Sequence, residues 1–246
     1  MKEEQQNQFY SSISAYYSEI FPFNPAQLNF VEHELKSLEN KSILDIGCAT
    51  GELAFQLSQK GADVLGIDLN TDLLNQALQF KKAGSLHFQR GNMLELKNDF
   101  KRSQFDAVVC FGNTLVHLST LDQVGEMLSS TKYVLKSGGK LLLQILNYDY
   151  ILAEQIEELP LIETDLIRFK RRYEWDDMKS IRFITELTLK DENSILHNET
   201  FLLPLKHDEL KRALEKSGFK EIRFYRGFNQ GTFGGAHLPL VVSCQK

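Results

Sequence analysis

The chain is poor in cysteine, with three in 246 residues (Cys48, Cys110, Cys244), far apart and without a C-x-x-C pair. That excludes a disulfide framework and a zinc site built on paired cysteines. No group of His, Cys, Asp and Glu has metal-ligand spacing, so no metal is expected. Apolar runs are short, none approaching the roughly 20 residues that span a bilayer. The polar start, MKEEQQNQ, lacks the apolar centre of a secretory signal. A basic excess is missing as well: 28 Lys plus Arg face 33 Asp plus Glu, for a net charge of −5. Such a balance gives no general attraction to nucleic acid or to an anionic membrane. A cytoplasmic globular protein is the plain expectation, since 42% hydrophobic and 25% charged residues are ordinary for one. The length suits one large domain, or one domain carrying an insertion.

Against that background one stretch organises the chain. Residues 42–70 read SILDIGCATGELAFQLSQKGADVLGIDLN. A short apolar run (Ile43, Leu44, Ile46) ends in Gly47, and Gly51 follows after Cys48, Ala49 and Thr50. Leu53, Ala54, Leu57 and Ser58 recur at helical spacing, and a second apolar run, 64–67, is closed by Asp68. Strand, glycine turn, helix, strand and acid make half of a nucleotide-binding α/β unit. Glycines there let the backbone turn sharply and approach a ligand. The helix start offers unpaired N–H groups to an anionic group. Asp68 can accept two hydrogen bonds from the vicinal hydroxyls of a ribose.

The turn itself is D-x-G-x-x-x-G, from Asp45 to Gly51, and not the G-x-G-x-x-G of a dinucleotide fold. It resembles motif I of the class I S-adenosylmethionine-dependent methyltransferases, usually D/E-x-G-x-G-x-G, with Ala49 in place of the middle glycine. The resemblance implies an α/β fold: a Rossmann-like, doubly wound seven-stranded sheet with its last strand antiparallel. It implies S-adenosyl-L-methionine as cofactor and S-adenosyl-L-homocysteine as product. Cofactor contacts are implied at Asp45, Gly47, Cys48, Ala49, Gly51, Asp68 and Leu69. Farther on, Arg90-Gly91-Asn92-Met93 stands where the family usually reads G-D-[AM]. Asn92 and Met93 are thereby implied at the adenine, the Asn92 amide oxygen accepting from the adenine amino group; Gly-Asn is also an ordinary turn.

The segment FDAVVCFG, residues 105–112, continues into Asn113-Thr114-Leu115-Val116-His117-Leu118. It is similar to motif IV of small-molecule methyltransferases, including those acting on glycine-like amines. Cys110, Phe111 and Gly112 are implied near the methionine ammonium, and Asn113 and Leu115 at the acceptor pocket. The box [DNS]-P-P-[YFW] of the nucleobase amino methyltransferases is absent, which argues against a base as target. Lys136-Ser137-Gly138-Gly139 followed by the apolar run 140–146 resembles the family step L-K-P-G-G-x-L-L-L, with Ser137 in place of proline.

The rest is read by pattern. Residues 1–40 form a helical cap, with Phe9, Tyr10, Ile13, Tyr16, Tyr17 and Ile20 at helical spacing. Asn24-Pro25 makes an N-cap and first-turn proline for a helix to about Leu38. In the resembled family such helices lie over the cofactor cleft, which makes Tyr16 and Tyr17 candidates to face it. Helices are expected from Thr71, as cap, to Lys82, and over 120–135 and 207–216. Residues 41–146 form the cofactor core. The insertion, 147–205, alternates with period two: Ile167, Phe169, Arg171, Tyr173 and Trp175 against Arg168, Lys170, Arg172 and Glu174. It predicts three antiparallel strands with one apolar face, joined by a turn at 191–194, and Arg171 on that face can reach a substrate carboxylate. Residues 206–246 supply a helix stopped at Gly218, two edge strands, and between them a glycine-rich loop whose Phe233 and His237 can close over substrate.

The function expected is methyl transfer to a small-molecule acceptor, nitrogen before oxygen, by in-line displacement. No catalytic residue is assigned; Tyr17 and His117 are the candidates. A non-catalytic cofactor-binding module, an RNA or protein methyltransferase and an NAD-dependent oxidoreductase are the alternatives. No membrane or nucleic-acid partner is expected, and a homodimer stays open.

Overall fold

The structure, a computed structural model, describes residues 2–80, 85–177, 180–192 and 194–246. It opens with helices α1 (Lys2–Ile13), α2 (Tyr17–Ile20) and α3 (Pro25–Leu35). The next run alternates strictly: β1 (Ser42–Ile46), α4 (Glu52–Gln59), β2 (Asp63–Asp68), α5 (Thr71–Ala77), β3 (Leu86–Arg90), α6 (Leu96–Asp99), β4 (Phe105–Cys110), α7 (Leu121–Val134) and β5 (Leu135–Leu146). The remainder is α8 (Tyr148–Ala153), β6 (Ile162–Glu163), β7 (Ile167–Asp177), β8 (Ser180–Leu189), β9 (Ser194–Leu202), α9 (His207–Lys216), β10 (Lys220–Tyr225) and β11 (Pro239–Gln245). Among the described residues, no helix is long and apolar enough to cross a membrane.

Seven strands form one sheet in the order β10-β11-β5-β4-β1-β2-β3. The five from β1 to β5 are parallel, and β11 runs against β5 and β10. Parallel strands need helical crossovers on both faces, so their residues read as unbroken apolar runs: Leu141, Leu142, Leu143 and Ile145 of β5 are all fully buried. Each such side chain contributes about 1.5–3 kcal/mol on burial. Chain order reverses between β1 and β4, and the crevice outside the carboxyl ends of those strands is where open α/β sheets take ligands.

A second, four-stranded sheet, β6-β7-β8-β9, is antiparallel throughout. Its inner face splits its contacts. Ile167, Phe169, Leu187 and Leu189 close a core with Phe9, Ile13 and Ile20 of the N-terminal helices, whereas Tyr173, Ile181 and Leu202 join the main core. The N-terminal helices are therefore held against the inserted sheet. On the outer face opposite charges pair, including Lys170 with Glu186 at 3.1 Å, Arg182 with Glu174 at 2.8 Å and Arg168 with Glu163 at 3.0 Å.

Local departures from the sequence reading have local causes. The inserted sheet has four strands because Ile162 and Glu163 pair with Phe169 and Arg168. Trp175, at the far end of the apolar stripe, is 38% exposed. Asn70, not Thr71, caps α5, its Oδ1 accepting from Leu73 N at 2.9 Å; Lys82 lies outside the described residues, as does Asn193 of the 191–194 turn. Helix α3 stops at Leu35 because Lys36 turns to φ +65°. Ser137-Gly138-Gly139 is a bulge within β5: Phe105 faces Leu135 but Ala107 faces Lys140.

Candidate functional site

At the end of β1 the chain reverses on Gly47, at φ +72°, and its N–H and that of Cys48 donate to Ile67 O of β2 at 2.8 and 3.1 Å. A Cβ on Gly47 would lie 2.5 Å from the Thr114 side chain, and one on Gly51 (φ +84°) 2.6 Å from Phe88. The glycines thus make room for the chain's own packing as well as for the turn. Ala49 between them also sits in the left-handed region, at φ +48°. Its N–H donates to Asp68 Oδ2 at 2.9 Å, while Asp68 Oδ1 accepts from Asn70 N at 2.9 Å. Burial raises the Asp68 pKa and these backbone N–H groups oppose the rise. The carboxylate is fixed by two loops, with lone pairs left for a further donor on each oxygen.

Two cavities adjoin outside β1, β2 and β4, sharing Tyr10, Tyr17, Gly47, Ala49, Gly112 and Thr114. The first, bordered by Asp68, Leu69, Asn70, Met93 and His117, leaves about 50 Å³ to water beneath α1. The second, bordered by Asp45, Cys48, Glu52, Phe111 and Phe21, leaves about 360 Å³. Glu52 is engaged, accepting from Thr50 Oγ1 at 2.7 Å and from Ser18 Oγ. Asp45 is not: its side chain is buried (4% exposed for the residue) and receives no hydrogen bond from any described residue. Burial, together with the Asp68 charge, pushes its pKa up to about 7.

Where the cavities meet, the Tyr10 hydroxyl and His117 Nε2 are hydrogen-bonded at 2.8 Å. His117 Nδ1 is buried without a partner. Burial lowers the His117 pKa to about 4, so the ring is neutral at pH 7, and burial also raises the Tyr10 phenol.

Several residues singled out in the sequence lie elsewhere. Asn92 turns back on its own chain, Oδ1 accepting from Leu94 N at 2.9 Å, and only Met93 of that pair borders the cavity. Asn113 spans to its neighbours, Nδ2 donating to the Tyr148 hydroxyl at 3.0 Å and Oδ1 accepting from Leu146 N at 2.9 Å. Cys110 and Leu115 are fully buried in the main core. Tyr16 packs against the N-terminal core; Tyr17, its neighbour, borders both cavities. Arg171 borders neither: it donates from NH2 to Pro160 O at 2.7 Å and leaves Nε buried without a partner. Phe233 and His237 cluster with His207, whose ring stacks on Phe233 at 4.8 Å, away from both cavities.

Tyr10 and Thr114 border both cavities without belonging to the motif positions that single out a ligand site. Tyr10 precedes Tyr17 by seven residues, two helical turns, and the rings lie 6.3 Å apart, so the spacing carried that signal. Thr114 carried none, because its place against Gly47 is set by packing between distant segments. Among the described residues no group of three or more His, Cys, Asp or Glu could hold a metal ion.

The comparisons with known proteins meet this geometry at its centre. Residues 43–139 match the model of the methyltransferase domain family. Glycine/sarcosine N-methyltransferase from Aphanothece halophytica is 26% identical over 230 residues, which cover 92% of this chain and 84% of that protein. A ubiquinone biosynthesis O-methyltransferase from Haemophilus ducreyi is 31% identical over 132 residues, half of this chain and 53% of its own length. Among solved structures, a S-adenosylmethionine-dependent methyltransferase from Clostridium acetobutylicum shares the fold, with a TM-score of 0.78, 15% identity, and coverage of 96% of this chain and 98% of that one. The matched span contains the glycine turn, Asp68 and the β4 end that border the two cavities, and over residues 43–139 the chain is similar to the methyltransferase domain family.

Proposed function

We propose that this enzyme methylates a small amine, with the cofactor spread across the two cavities and the acceptor at their junction. The residues present fit S-adenosylmethionine. An anchored acid, Asp68, awaits the ribose hydroxyls, a buried carboxylate without a partner, Asp45, calls for a cationic group, and Leu69 and Met93 offer an apolar slot. When bound, the cofactor supplies an electrophilic methyl group on a sulfonium.

The chain's own part is placement. Helices α1 and α2 put Tyr10 and Tyr17 beside Gly47 and Gly112, where both cavities meet. Position and in-line alignment supply most of the rate in such a transfer. The observation that carries nitrogen over oxygen is the Tyr10–His117 pair. A histidine held neutral with a pKa of about 4 is a poor base for a hydroxyl, whereas an amine that has left its ammonium proton in solvent enters with its own lone pair and needs no base in the site. His117 can then orient the acceptor rather than deprotonate it. An amine acceptor also fits the name of the Aphanothece relative, a glycine/sarcosine N-methyltransferase.

The test is S-adenosylhomocysteine release with a panel of small amines, glycine and sarcosine among them, beside matched alcohols and phenols. Amines are expected to drive turnover, and Asp68→Asn to weaken cofactor binding about 10–100-fold through loss of charge-assisted hydrogen bonds. Turnover confined to hydroxyl acceptors would overturn the amine reading.

A further inference from the structure

The smaller cavity runs past the carboxyl ends of four neighbouring strands. Thr114 and His117, beyond β4, border one end, and Gly91 and Met93, beyond β3, border the other. Gly47 and Ala49 after β1, then Asp68 and Leu69 at the end of β2, lie between. With the acceptor at the junction and the ribose on Asp68, the β3 end is what remains for the base; this inference rests on that cofactor reading. Leu69, Leu73 and Met93 supply apolar walls there, which grip a flat ring without reading its edge. An edge is read by hydrogen bonds, and adenine offers an amino donor beside ring-nitrogen acceptors.

The polar side chains of the sheet loops at that end are committed. Asn70 Nδ2 holds Asn7 and Ser11, and its Oδ1 caps α5. Asn92 Oδ1 accepts from Leu94 N at 2.9 Å, and Arg90 Nε donates to Leu69 O at 3.4 Å. The roof offers what these loops do not. Glu3, Gln6, Asn7 and Tyr10 border the cavity at i, i+3, i+4 and i+7 of α1, one helical face. Tyr10 is held on the β4 side by His117, and Asn7 at the end of β2 by Asn70, so α1 runs backwards toward β3. Gln6 stands about 6 Å along the axis from Tyr10, and a helical side chain leans toward the helix start, again toward β3. It is half-buried, and its amide has no hydrogen bond to another described residue; Glu3 is exposed.

We propose that Gln6 of α1 reads the base of the cofactor, its Oε1 accepting from the adenine amino group and its Nε2 donating to a ring nitrogen. An amide carries the donor and acceptor that this edge calls for, and glutamine can meet adenine through both at once. A helix that moves as a rigid body keeps Gln6 and Tyr10 on the same face, and the long Gln6 side chain can follow a base beneath it. The purine is then recognised by the roof helix rather than by a loop of the sheet, and the seating of α1 selects it.

The experiment is calorimetric titration of the full chain with S-adenosylhomocysteine and with its 6-deamino analogue, in which hydrogen replaces the adenine amino group. The wild type should favour the amino ligand about 5–20-fold. Gln6→Met keeps the length of the side chain and removes the amide, and the preference should fall to about twofold or less. Asn92→Ala, checked for fold by circular dichroism like Gln6→Met, should keep the wild-type preference. A merely structural Gln6 would weaken both ligands equally in Gln6→Met and leave their ratio unchanged, which would overturn the proposal. Equal affinities in the wild type would overturn it too, as would a preference lost in Asn92→Ala and kept in Gln6→Met; each leaves the methyltransferase reading intact. Failure of the wild type to bind either ligand would overturn the cofactor reading, and the role of Gln6 with it.

Discussion

Ala49 holds φ at +48°, where a Cβ costs about 1–2 kcal/mol, in a turn whose motif usually carries glycine. Ala49→Gly removes that strain and returns about half of the gain as chain entropy in the unfolded state. The expected outcome is a net stabilisation of about 0.5–1 kcal/mol, read as a rise in urea midpoint at constant m. An unchanged or lower midpoint would show that the turn is relaxed as it stands. His117 predicts a pH effect of definite sign. Its folded pKa of about 4 lies below the ordinary 6.5, so the unfolded chain takes up a proton first as pH falls, and stability drops between those values. Asp45 acts in the opposite sense, since its folded pKa lies above its unfolded one and the fold gains from acid. The wild-type curve therefore mixes both, and the clean readout is the difference from His117→Gln. Between pH 7.5 and 4.5 the wild type should lose about 2–3 kcal/mol relative to that variant.

These residues also show what a sequence can display. Gly47, Gly51 and Asp68 announce themselves because backbone geometry and a strand end demand those types within a few positions. Asn92 caps its own turn through Leu94 N and Asn113 ties the end of β4 to Leu146 N, and a short amide can do either or meet a ligand without the sequence telling them apart. Whether Asp45 has a partner depends on four elements at once, and no local pattern records that.

At the scale of elements, α1 is the roof of the smaller cavity, and one side chain fastens it. Asn70 Nδ2 donates to Asn7 O at 3.0 Å, Asn7 Oδ1 at 2.8 Å and Ser11 Oγ at 2.9 Å, while Asn70 Oδ1 caps α5. The space left beneath that roof is about 50 Å³, and α1 is expected to lift as a ligand enters. Asn70→Asp keeps the capping oxygen and removes the donors. It should speed amide exchange in residues 3–13 by about tenfold with α5 unaffected, and raise both on- and off-rates of the cofactor. Equal exchange in the two proteins would mean that the apolar contacts of Phe9 and Ile13 hold the helix alone. The alternation from β1 to β5 was readable because buried parallel strands are apolar runs separated by capped helices. Strand β6 was not, since two residues carry no period.

For the whole molecule, the two sheets share one core: Tyr173, Ile181 and Leu202 of the inserted sheet pack in the same cluster as Leu141 and Leu143 of β5. Removing either sheet would expose the other's apolar face, so the two should unfold together. The sole tryptophan, Trp175, is on β7 and reports the inserted sheet, whereas far-ultraviolet dichroism is dominated by the helices. Coincident urea transitions by the two signals are expected; an earlier tryptophan transition would mean that the inserted sheet is a separate unit.

The reversed direction of β11 has a practical side. Running against β5, it carries the chain out at Lys246, whose N–H meets Gly139 O at 2.9 Å, at the amino ends of the parallel strands and opposite the cavities. A surface anchor or fluorophore coupled there leaves the entrance unobstructed. One coupled ahead of Lys2 would load the roof helix and slow the motion it was meant to report.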